Sequence, residues 1–212
     1  MRRRIMLFCV FVLFGQTHAH ALVSINEIYA DPAAGLAGDA NHDGVRSTTD
    51  DEFVEFFNSG VSTMNITGWR LNDAVAVRHI FPAGTFLLPE HYLVVFGGGL
   101  PQLPGVSWQL ASTGGLSLNN TAETLTLFDL NNQLVQQVVY GSLANQDKSI
   151  VRFPEGSGTF VLHTTLADAE GRFFSPGTNV KGELPITEAT VPEPSTLATM
   201  LLGSLTFFRR KL

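Results

Sequence analysis

Cysteine is nearly missing from this sequence of 212 residues, and the one present, Cys9, lies in an N-terminal segment that reads as a targeting signal. That segment has Arg2, Arg3 and Arg4, an apolar run from Ile5 to Phe14, and the small-x-small pattern Ala19-His20-Ala21, so a secretory signal peptide over 1–21 is expected. The body left after cleavage has no thiol. Disulfides, thiolate zinc sites and cysteine nucleophiles are excluded together, and stability outside the cell must come from a packed core, helped or not by a metal. Long apolar runs are lacking too. The run Ile5–Phe14 and the uncharged stretch 195–208 both fall short of the roughly 20 residues that a membrane-crossing helix needs.

Positive charge is scarce. Residues 22–190 hold 7 Lys+Arg against 18 Asp+Glu, a formal charge of −11. Such a body repels phosphate backbones, so nucleic acid is not an expected partner. Apolar residues make up 44% and charged residues 15%, which is the composition of a packed globular chain and not of a disordered one.

Helical periodicity is absent between the two ends. Short β-rich runs separated by Asn/Gly/Pro turns take its place: "LVSINEIY" (22–29), "EFVEFFN" (52–58), "WRLND" (69–73), "RHIF" (78–81), "HYLVVF" (91–96), "GLSL" (115–118), "TLTLFDL" (124–130), "LVQQVVYG" (134–141) and "SIVRF" (149–153). Eight or nine strands at this spacing predict an all-β sandwich. In "EFVEFFN" both faces are apolar, so this strand must be central or covered on both sides. Glu55 shares a face with Phe53 and Phe57 and is expected to reach the rim or to accept hydrogen bonds, since a bare carboxylate there is costly.

Several of these stretches resemble a known family when taken together: "INEIYADP" (25–32), "DEFVEFFNSG" (51–60), "ITGWRLND" (66–73), "IFPAGTFLLPEHYLVVF" (80–96), "LSLNNTAETLTLFD" (116–129) and "FSPGTNVKG" (174–182). The chain resembles a lamin-tail domain, an immunoglobulin-like β-sandwich. That resemblance implies a compact body over 22–182 with no active site of its own, used for binding or display and often found beside nucleases or phosphatases. A hydrolytic enzyme or its accessory domain is the alternative. After a linker at 183–190, the Val-Pro-Glu-Pro motif at 191–194, the apolar stretch and Arg209, Arg210 and Lys211 resemble a PEP-CTERM sorting signal over 191–212. This second resemblance implies an exosortase-type processing protease as partner, transient membrane association through the short apolar segment, and a place at the cell surface or in the extracellular matrix. Exopolysaccharide or other surface proteins are then candidate ligands.

The stretch "GDANHDGVRSTTDDEF" (38–53) concentrates acid ahead of the second strand. Counted from Asp39, oxygen donors stand at the spacing of a twelve-residue calcium loop. Asp39, Asn41 and Asp43 hold positions one, three and five, Gly44 position six, the Val45 carbonyl position seven, Ser47 position nine and Asp50 position twelve. Calcium is a hard cation that takes six to eight oxygens, and aspartate at the twelfth position resembles dockerin loops. No helix is expected on either side, so the loop is read as grafted between strands. The competing reading is a solvated Asx-turn loop.

Other candidates carry less. His79, His91 and His163 show no metal-ligand spacing and are expected as hydrogen-bonded or surface strand residues. No Gly-x-Ser-x-Gly elbow exists. "FGGGLP" (96–101) lacks a following helix and a lysine, so it is a loop and not a phosphate cradle. Trp69 is expected in the core, while Trp108 is open between core and an exposed sugar-stacking platform. Asn65 and Asn119 stand in formal glycosylation sequons.

Overall fold

The computed structural model describes residues 22–186, so the expected signal peptide and sorting signal lie outside the described residues. Twelve strands form here: β1 (Val23–Tyr29), β2 (Phe53–Asn58), β3 (Met64–Asn65), β4 (Arg70–Asn72), β5 (Val77–Ile80), β6 (Phe86–Leu87), β7 (Tyr92–Phe96), β8 (Trp108–Leu110), β9 (Glu123–Phe128), β10 (Leu134–Tyr140), β11 (Ile150–Phe153) and β12 (Thr159–Leu162). A six-stranded sheet runs β12-β11-β1-β2-β7-β8, a four-stranded sheet β10-β9-β4-β5, and β3 pairs with β6. All of these pairings are antiparallel except β7 with β8. This is the immunoglobulin-like sandwich that the strand pattern predicts.

The two sheets close on one apolar core. Val23, Ile25, Val54, Phe56, Leu93 and Val95 come from the larger sheet, and Leu71, Leu125, Leu127 and Val138 from the smaller. Phe81 sets its ring edge-on against Phe56, with centroids 5.1 Å apart. A second cluster, Tyr29, Ala40, Phe53, Val94 and Phe96, covers the opposite face of the larger sheet together with Leu103, Val106 and Phe174. The larger sheet is therefore buried on both sides at β2, as the apolar pattern of "EFVEFFN" requires.

A register shift between Ile25 and Glu27 in β1 decides which side chains meet on that outer face. Strict alternation would put Glu27 beside Ile25 in the core. The bulge instead moves Glu27 outward, opposite Glu55 of β2, and returns Ile28 to the core.

Three sequence expectations need correction. "GLSL" forms no strand, because Ser117 takes a left-handed φ of 53° and the amide of Leu118 goes to the Glu52 carboxylate; Leu116 and Leu118 still plug the core. The strands β3, β6, β8 and β12 arise where none was expected, three of them only two or three residues long. His91 and His163 are not in strands: His91 precedes β7, and His163 opens a 3-10 turn over His163–Thr165.

Candidate metal centre

The acidic loop leaves β1 through a 3-10 turn at Gly35–Gly38 and enters β2. Its side chains fold inward by Asx-turn chemistry, in which a short carboxylate or amide accepts a nearby backbone N–H. Asp39 Oδ2 accepts from Gly44 N (2.9 Å), Asn41 Oδ1 from Asp43 N (3.0 Å), and Asp43 Oδ1 from Val45 N (2.9 Å). Ser47 Oγ accepts from Asp50 N (3.1 Å). Gly44 has a φ of 85°, so the sixth position makes the bend that glycine tolerates. Arg46 reaches back with its Nε to the Ala33 carbonyl (2.8 Å) and so ties the loop to the chain that follows β1.

The turn after β7 forms the floor. Asp43 Oδ2 accepts from Leu100 N (3.1 Å), and Gly98 N donates to the Asp50 carbonyl (3.2 Å). A side chain at Gly97 would collide with the Thr49 carbonyl, at Gly98 with the Asp50 carboxylate, and at Gly99 with Asn41 and Asp43. The Gly-Gly-Gly run exists for this close approach.

Asp39, Asn41 and Asp43 thus share the inner side of the loop, while Asp50 lies against Gly98 and the Val45 side chain points to solvent. One oxygen stands out. Asp39 is 9% exposed, and its Oδ1 is buried without a hydrogen-bond partner. Among the described residues, no group of three His, Cys, Asp or Glu side chains converges closely enough to hold an ion alone. A cation here would depend on mixed donors, the Asn41 amide, the Ser47 hydroxyl and the Val45 carbonyl completing the carboxylates.

Sequence reasoning missed Asp51. It is fully buried, and it accepts Ala40 N (2.9 Å) and Asn41 N (3.1 Å) on Oδ1 and Ser47 N (2.7 Å) on Oδ2. Burial pushes its carboxyl above the usual range against the pull of these amides, with Asp39 adding repulsion. Its neighbour Glu52, also buried, is pushed up to about 7 by desolvation, although the amide of Leu118 stabilises its charge. The signal lay in the run Asp50-Asp51-Glu52, but counting ligand positions stops at the first of the three.

A second acidic constellation was also missed. The segment from His163 to Gly182 lies across the outer face of the larger sheet, and three glutamates take its backbone amides: Ser175 N goes to Glu27 (3.0 Å), Gly177 N to Glu55 (2.7 Å) and Val180 N to Glu155 (2.9 Å). Glu55 accepts hydrogen bonds, as expected, but it is fully buried and not at the rim. Burial, then the facing charge of Glu27, drives its carboxyl well above the usual range. Ser175 Oγ stands 2.9 Å from His163 Nε2, yet it also contacts Glu27 Oε2 (2.8 Å), and Nδ1 of the histidine faces the Arg172 carbonyl (2.9 Å). With His163 at 0% and Ser175 at 4% exposure, this serine and histidine form an internal strut.

The sequence model of the Lamin Tail Domain family matches residues 16–142. The chain belongs to the lamin tail domain family. The match ends before β11, but β11 pairs with β1, so this lamin-tail sandwich extends beyond the matched region to the covering segment. The PEP-CTERM protein-sorting motif matches residues 190–211. The lamin-tail body therefore belongs to an exported, cell-surface protein handled by exosortase through its C-terminal segment. Among the described residues no helix is long and apolar enough to cross a membrane; the expected apolar span at 195–208 lies outside them. No curated protein matches the chain.

Proposed function

We propose that the protein is a non-catalytic scaffold of the cell surface or extracellular matrix, a lamin-tail sandwich whose loop 39–50 takes a structural calcium ion and whose body serves adhesion or ligand binding. Asp39, Asn41, Asp43, the Val45 carbonyl, Ser47 and Asp50 would hold the ion. Asp39 Oδ1 carries this reading: a buried carboxylate oxygen with no donor is costly unless a cation or water satisfies it. The bonds already present do not compete, because each carboxylate oxygen that accepts one N–H keeps a further lone pair. Calcium would supply positive charge where Asp39, Asp43 and Asp50 repel one another, in a body of charge −11.

Isolated sites in extracellular modules bind with Kd of about 10⁻⁴ to 10⁻³ M, which suits a structural ion and not a sensor. Thermal melting of the exported body in 10 mM calcium against chelator tests the claim. A ligand at about 10–100 times its Kd stabilises by about 1–3 kcal/mol, which for a body of this size raises Tm by about 3–8 °C. Asp43→Ala is expected to lose that increment. Equal midpoints in the two conditions, with Asp43→Ala matching wild type, would remove calcium from the account.

A further inference from the structure

We infer that the cleft between β8 and the β5–β6 turn is a binding site for a neutral saccharide, with Trp108 and Phe86 as its stacking surfaces. The cleft has a volume of 490 Å³, within the roughly 300–1,000 Å³ of small-molecule sites. Two aromatic side chains line it and stay open to solvent, Phe86 at 59% and Trp108 at 39% exposure. The chain buries Phe53, Phe56, Phe81 and Phe96 almost completely, so two exposed aromatic side chains on one cleft need a reason; the other strongly exposed ring among the described residues, Phe153 at 47%, lies apart from it on β11. Trp108 is exposed because β8 is an edge strand held on one side only, by β7.

The polar part of the lining is fixed in advance. Gln109 accepts from His79 Nε2 (2.8 Å) and donates to Thr85 Oγ1 (3.2 Å), whose own hydrogen goes to the Pro82 carbonyl (2.7 Å). That chain orients the Gln109 amide and leaves its second hydrogen uncommitted among the described residues; Ser107 lines the same cleft. An oriented amide, the Ser107 hydroxyl and two exposed aromatic side chains suit a pyranose, which presents C–H groups on its faces and hydroxyls around its edge.

Charge narrows the class. The lining residues Pro82 to Phe86, Leu93 and Val106 to Gln109 include no ionisable side chain, so the cleft has no cation for a uronate, sulfate or phosphate. The −11 body disfavours polyanions further. A protein partner would need about 800 Å² of surface on each side, more than a cleft of this size offers. Exposed Ile80 and Leu110 continue the surface along the same edge, where Ile80 N donates to Ser112 Oγ (2.9 Å), so an extended oligomer suits the site better than a single ring.

The proposal deepens the surface-scaffold reading and rests on it for where glycans are met; it does not depend on calcium. The test is tryptophan emission and calorimetric titration of the exported body with cello-, laminari-, manno-, xylo- and chitohexaose, each to about 20 mM, and with a hexagalacturonate, in calcium and in chelator. At least one neutral hexaose is expected to bind in both buffers, and hexagalacturonate is not. Trp108→Ala is expected to weaken binding by about tenfold or more and Phe86→Ala by about threefold or more, while Trp108→Phe keeps most of it. Thermal melts of each variant check that the fold survives. No binding by any neutral hexaose, binding by the anionic one alone, or binding that survives both alanine variants overturns the site, whatever calcium does to Tm.

Discussion

The acidic loop and the segment from His163 to Gly182 use the same chemistry to opposite ends. In the segment, Glu27, Glu55 and Glu155 receive amides from residues more than twenty positions away in sequence, so each bond closes tertiary structure. In the loop, Asp39, Asn41 and Asp43 receive amides two to five residues on, bonds that shape the loop itself, and Asp43 Oδ2 alone of these three takes a distant amide as well, that of Leu100. The first arrangement leaves no glutamate oxygen wanting, whereas the second leaves Asp39 Oδ1 alone. Buried carboxylates that are fully supplied with donors hold a fold together; one left short of donors is available to a ligand.

The largest effect should come from breaking the covering segment. Glu27 takes Ser149 Oγ (2.5 Å), Ser175 N and Ser175 Oγ, and Glu27→Ala would leave the buried Ser175 amide without an acceptor while the two hydroxyls fall back on the Phe173 carbonyl and His163 Nε2. A loss of about 3–5 kcal/mol is expected in urea unfolding, the same in calcium and in chelator. The segment should also become open to proteolysis near Ser175. If the glutamate were a bystander, the loss would stay below about 1 kcal/mol.

The next effect separates the regions by pH. Glu52 sits at about 7 in the fold, and burial also raises Glu55, Glu155 and Asp51. A carboxyl whose folded value is raised binds its proton more tightly in the fold than in the unfolded chain. Its stabilising contribution is full below the ordinary carboxylate range and is lost as pH rises through the folded value. In chelator these carboxyls therefore lower stability between pH 4.5 and about 7, Glu52 alone by about 3 kcal/mol, against the opposite contribution of buried His79, whose pKa is lowered by desolvation. Glu52→Gln should flatten that part of the curve in urea titrations run at successive pH values. A Glu52→Gln curve that keeps the wild-type slope over the same interval would contradict the burial assigned to Glu52.

The sequence made part of this contrast legible and hid the rest. Strands with strong alternation or dense apolar content, such as Phe53–Asn58 and Glu123–Phe128, declare themselves because each side chain reports its own face. The loop also declares itself, since its donors are neighbours in sequence. The glutamate arrangement could not, because it needs a β-bulge at Asn26, a property of pairing between strands and not of either strand alone. The same holds for Trp108. Its strand has three residues and pairs in parallel with β7 across the Gly97–Ser107 connection, so only the fold decides between core and surface. Asp51 was hidden differently: a spacing template selected Asp50, while burial selected the residue beside it.

That last ambiguity gives the smallest and sharpest test. Asp39→Asn keeps an oxygen for the amide of Gly44 but removes a charge, and in chelator it should change stability by no more than about 0.5 kcal/mol, with relief of repulsion from Asp43 and Asp51 offsetting the weaker hydrogen bond. Its increment on adding calcium should vanish. Asp51→Asn should behave in the reverse way: an amide cannot accept from Ala40, Asn41 and Ser47 at once, so about 1–3 kcal/mol is lost in both buffers while a calcium increment remains. Melting curves of the two variants in both buffers give four numbers. If Asp51→Asn abolished the calcium response and Asp39→Asn preserved it, the ion would be bound by the residues that brace the loop, and the division between bracing and ligating carboxylates would have to be drawn again.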